Sequence, residues 1–80
     1  MKRVILADKN QEKEIMVHDI NDEDTVFAYK KGEVCGMVVY YPELGYILRL
    51  SPSLGATGFH KTIQDLIEYT AIRGYDFYVV

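Results

Sequence analysis

The sequence predicts an α+β domain in which an antiparallel β-meander carries one amphipathic helix on one face and ends in a C-terminal closing strand. Three observations carry this. Short apolar runs bounded by Gly, Pro and acidic turns recur from residue 4 to residue 51, apolar positions switch to helical spacing from residue 59, and an aromatic run closes the chain. At 80 residues the chain has room for one domain spanning 1–80, and a chain of this size buries only about 60 to 65% of its unfolded surface. An apolar fraction of 49%, with seven Tyr and three Phe, marks a globular rather than a disordered composition.

Val4 to Ala7 and Ile15 to Ile20 read as the first two strands, joined through the polar stretch Asp8 to Glu14 as a hairpin loop or a frayed connection. Asp19 to Asp24 is rich in turn-forming acids, and Thr25 to Lys30 resumes as a strand. Lys31-Gly32-Glu33 supplies a tight turn, read as type I with a bulge. Val34 to Tyr41 is the most apolar run, ended by Pro42-Glu43-Leu44-Gly45, and Tyr46 to Ser51 follows. Connections this short force the three central strands into an antiparallel meander.

Phe59, Ile63, Leu66, Ile67, Thr70 and Ala71 share one helix face, while His60, Lys61, Gln64, Asp65 and Glu68 face away. Thr57 is the expected N-cap and Gly74 the left-handed residue after the last turn, with Arg73 placed against the C-terminal dipole. The helix so delimited has about 16 residues and a length of some 24 Å. Tyr75 to Val80 is the last strand.

Simple alternation places Val34, Gly36, Val38 and Tyr40 on one sheet face and Cys35, Met37, Val39 and Tyr41 on the other, so both faces of this strand are apolar. One helix covers one face. The second needs either the N-terminal strands or a second subunit, and Met37, Val39, Tyr41 and Tyr78 are the expected interface residues of a homo-oligomer. Oligomerisation also answers the need of a small scaffold for a staple. Cys35 is the sole cysteine, so there is neither an intramolecular disulfide nor a Cys/His zinc cluster.

A net charge of -3 with scattered basic residues argues against nonspecific nucleic-acid binding. The initial apolar run is too short for a secretory signal, and no run approaches a membrane span, so cytosol is the expected compartment. No cofactor and no metal are expected. Asp19, Asn21 and Glu23 imitate the opening of a calcium loop, but Asp24 stands where its glycine belongs and Lys30 where its closing glutamate belongs. Cys35 lies among apolar neighbours as a small hydrophobe rather than a nucleophile.

The stretch Ser51 to Thr62 is the expected ligand site. Helix-end amides, glycines and a basic side chain favour an anion, with Ser53, Thr57, Gly58, Phe59, His60, Lys61 and Arg49 as its residues. His60 stands where a P-loop requires glycine, so nucleotide hydrolysis is excluded. The ordinary alternative is a strand-to-helix turn with an N-cap.

From residue 46 to 80, an amphipathic helix leading through Arg73-Gly74-Tyr75 into an aromatic closing strand is similar to small phage-encoded accessory proteins. The resemblance implies sequestering of a nucleotide signal or blocking of a host protein by surface contact, and it carries over no catalytic residues. The expected function is a noncatalytic homo-oligomeric protein that binds a small phosphate-bearing ligand such as a nucleotide. The alternative is a protein-protein inhibitor or adaptor acting through its acidic turn and exposed aromatics, and a small enzyme is third.

Overall fold

The computed structural model describes residues 1–6, 12–51 and 55–80. The elements are β1 (Lys2–Ile5), β2 (Glu14–Met16), a 3-10 turn (Val17–Asp19), β3 (Val26–Lys30), β4 (Glu33–Tyr41), β5 (Gly45–Leu50), α1 (Ile63–Ala71) and β6 (Asp76–Val79). Among the described residues they build a six-stranded sheet in the order β2-β1-β6-β3-β4-β5 with one α-helix, so the α+β class holds.

The central meander forms as its turns dictate. Lys31 and Gly32 both have positive φ, 54° and 80°, between the paired residues Lys30 and Glu33. This is a two-residue type I′ turn instead of the expected type I with a bulge, because the primed turn matches the twist of the strands it joins. At the next turn the Leu44 amide donates to the Tyr41 carbonyl at 3.2 Å. Pro42 and then Glu43, at φ 71°, fill the central positions of a type II turn.

The bulge lies farther along, where Ala28 pairs with Gly36 and Tyr29 with Val34, leaving Cys35 as the extra residue. It corrects the simple alternation. Cys35 packs against the core, while Val34 moves to the face of Tyr29 and is 57% exposed.

At the N-terminal end the first two strands form a parallel pair, which rules out the hairpin alternative, with Val4 opposite Ile15 and the Arg3 amide donating to the Lys13 carbonyl at 2.8 Å; residues 7–11 of the connection lie outside the described residues. Val4 and Ile15 meet the core from adjacent strands, so β2 enters at the end of the sheet where β1 began. The second strand is three residues long and passes into the 3-10 turn, which buries Val17. The expectation of a purely antiparallel sheet is corrected accordingly. The closing strand β6 lies inside the sheet, antiparallel to both β1 and β3, and joins the N-terminal pair to the meander.

The helix spans nine residues, Ile63–Ala71, which gives a length of about 13 Å. It starts later than helical spacing suggested because His60 pairs with Tyr46 as β-structure through reciprocal amide-carbonyl bonds of 2.7 and 2.8 Å. The Thr62 hydroxyl accepts the Asp65 amide at 3.1 Å, so Thr62 is the N-cap and the assignment of Thr57 to that role is corrected. Gly74 follows at φ 88°, and Arg73 donates to the Tyr69 carbonyl at 3.0 Å in the last turn. Leu66, Ile67 and Thr70 are buried, and Thr70 returns its hydroxyl to the Leu66 carbonyl at 2.8 Å. They close over a core of Val4, Val17, Val26, Ala28, Leu48, Phe77 and Val79.

Phe59 is no part of this core. It is 45% exposed and rests edge-on against Tyr41 with ring centres 5.6 Å apart.

Candidate functional site

Within the expected anion-binding segment, residues 55–60 run along the free edge of β5. The Thr57 amide donates to the Leu48 carbonyl at 3.0 Å, and the Leu50 amide donates to the Gly55 carbonyl at 2.9 Å. The Thr57 hydroxyl accepts the Leu48 amide at 3.1 Å and donates to the Gly58 carbonyl at 3.0 Å. These bonds cover an edge that would otherwise invite strand pairing from another chain.

The expected ligand residues are consequently separated. Lys61 lies beside the helix start and lines a hollow of about 310 Å³ with Thr62, Ile63 and Gln64, but Asp22 lines it too. Arg49 lies on the opposite sheet face and donates to the Tyr41 hydroxyl at 3.1 Å. The His60 ring lies 5.0 Å from that of Tyr69, Gly58 and Phe59 are exposed, and Ser53 lies outside the described residues. Lys61 and Arg49 do not converge, and the start of the helix is several residues beyond the Gly58 and Phe59 amides.

The four expected interface residues do share a surface. Strand register puts Met37, Val39, Tyr41 and Tyr78 on the sheet face away from the helix, together with Phe27, Tyr29 and Ile47. Met37 is 39% exposed, and the rings of Tyr29 and Tyr78 meet edge to face at 4.9 Å. Arg3 and Asp76 form an ion pair of 3.1 Å near one end of the face, and Arg49 stands near the other. Phe27, Val34, Met37 and Arg49 line a shallow depression of about 310 Å³ on it.

A second cluster was missed in the sequence. Tyr40 and Tyr46 are directly opposite in the β4-β5 register, with rings 4.9 Å apart on the helix side of the sheet. The Tyr46 hydroxyl donates to Asp22 Oδ1 at 3.2 Å. Burial pushes the Tyr46 phenol above its ordinary pKa, and the neighbouring Asp22 carboxylate adds to the rise. The type II turn sets the register that pairs the two tyrosines, so the turn sequence was the signal that could have found them. Nothing in the sequence placed Asp22 against them.

Nucleophilic chemistry at Cys35 finds no support in its surroundings. Its thiol donates to the Ala28 carbonyl at 3.5 Å, and burial pushes its pKa up. Asp24 accepts the Asn21 amide at 2.8 Å, and among the described residues no group of three or more His, Cys, Asp or Glu is placed to hold a metal ion. Among the same residues no helix is long and apolar enough to cross a membrane. The chain matches no family model, no curated protein and no solved structure.

Proposed function

We propose that this chain is a noncatalytic binding protein that works as a homo-oligomer, with the sheet face opposite the helix as its self-pairing surface. The observation that carries the reading is the continuous apolar and aromatic face of Phe27, Tyr29, Met37, Val39, Tyr41, Ile47 and Tyr78, which no described element covers. The molecule measures 33 × 29 × 21 Å, and a nine-residue β4 alone extends about 30 Å. A face of those dimensions offers the roughly 800 Å² per partner that a stable pair requires. The Arg3-Asp76 pair near its end adds charges of both signs that a two-fold partner can meet.

The likeness to small phage-encoded accessory proteins, some of which block a host protein by surface contact, agrees with a surface-binding role. A small phosphate-bearing ligand is the second reading. It rests on Lys61 sharing one hollow with Thr62, Ile63 and Gln64 at the helix start, and the Asp22 carboxylate in that hollow weighs against it.

Sedimentation of the chain at about 100 μM tests self-pairing. Wild type is expected to sediment at twice its 9.2 kDa mass or more, and Met37→Lys, which sets a charge in the middle of the face, as a monomer. A wild type that sediments only at 9.2 kDa overturns the proposal. Calorimetric titration with a panel of mono-, di- and cyclic nucleotides tests the second reading, which fails if wild type and Lys61→Ala give the same heats.

A further inference from the structure

We propose that the hollow walled by Tyr40, Tyr46 and Asp22 receives the guanidinium group of an arginine side chain presented by a partner protein. This site lies on the helix side of the sheet and stands independently of self-pairing through the opposite face.

The hollow has a volume of about 50 Å³, room for a head group of a few heavy atoms and too little for a nucleotide. Val26, Val38 and Ile63 contribute apolar lining, so water competes poorly inside. Tyr40 is 56% exposed and tilted by 49° to Tyr46, leaving ring surface free for a cation. A planar guanidinium stacks on such surface and at the same time offers a fork of donors.

Acceptors meet that fork. Asp22 Oδ1 accepts the Tyr46 hydroxyl, and a carboxylate has about four lone-pair sites, so capacity for a charge-assisted bond remains. Asp24 lines the same hollow with Oδ2 on the Asn21 amide. The Tyr46 bond does more than occupy Asp22, because it ties the acidic turn to the aromatic pair and pre-arranges charge and ring before a partner arrives. Lys61 and His18 line the adjoining hollow, but the turn itself contributes Asp19, Asp22, Glu23 and Asp24, so the local balance is negative. Arginine is preferred over lysine because an ammonium cannot stack flat on a ring while forking to a carboxylate.

The test is an NMR titration with N-acetyl-arginine methylamide, with its citrulline and lysine counterparts as controls. The citrulline analogue keeps the shape and loses the charge. Arginine is expected to bind with a Kd of the order of 1 to 10 mM, the range for one small contact, and to shift the signals of Asp22, Tyr40, Tyr46 and Ile63. Asp22→Asn should weaken it about fivefold or more and Tyr40→Ala about threefold, and added salt should weaken it further. Both positions are exposed, and an unchanged amide spectrum outside the hollow confirms folding of each variant. Equal shifts from arginine and citrulline, equal binding of lysine, or shifts confined to other surfaces would each overturn the proposal.

Discussion

Gly45 stands where three demands meet: it follows the type II turn, takes φ 102°, and faces the segment that covers β5. A Cβ at this position would collide with the His60 carbonyl oxygen, which is fixed by its bond from the Tyr46 amide. Gly45→Ala is therefore expected to cost about 2 kcal/mol or more, from left-handed strain and from the displaced edge segment, measurable by chemical denaturation. Neighbouring Glu43 carries the opposite defect, a non-glycine residue at φ 71°. Tyr46 gives a pH prediction. Its folded pKa is raised above the ordinary 10.0, so above about pH 10 the unfolded chain loses the phenolic proton first and binds fewer protons. Stability therefore falls as pH rises through that window, and Tyr46→Phe should flatten this alkaline loss in a denaturation series. Equal slopes for the two proteins would remove Tyr46 from the account.

At the scale of elements, the helix is the clearest case of a correctly read face with misread ends. Leu66 is fully buried, and Leu66→Ala is expected to cost about 2 to 5 kcal/mol in thermal or chemical unfolding. Phe59→Ala, on a half-exposed ring outside the helix, should cost about 1 kcal/mol or less. Thr62→Ala should cost about 1 kcal/mol by removing the N-cap, with a matching loss of helical signal in circular dichroism. Periodicity located Ile63, Leu66, Ile67 and Thr70 because each faces the core. It overran to Phe59 because an apolar residue outside the helix but at the right spacing looks helical in sequence. The meander was legible from its turns, where Gly32 and Pro42 fix geometry locally. The parallel β1-β2 pair was not, since runs as short as Val4-Ile5 and Ile15-Met16 carry no information on direction.

For the molecule as a whole, the expectation of a surplus apolar face came from β4, where both sets of alternate residues were apolar. The bulge at Cys35 changes which residues are surplus without changing that conclusion: Cys35 turns to the core and Val34 joins the outer face. The expected anion-site residues that the structure describes lie apart for a different reason. Residues 57 to 61 are adjacent in sequence, but the bonds of Thr57 and His60 to β5 set their side chains apart, and long-range pairing of this kind leaves no local signal. The most direct test of the self-pairing face uses an equal mixture of labelled and unlabelled chains and an isotope-filtered NOE spectrum, which sees only contacts between copies. The account predicts intermolecular contacts from the Met37, Val39 and Ile47 methyls to the Tyr29, Tyr41 and Tyr78 rings. Intermolecular contacts arising instead from the helix or from β2, or none at a concentration of about 1 mM, would contradict it.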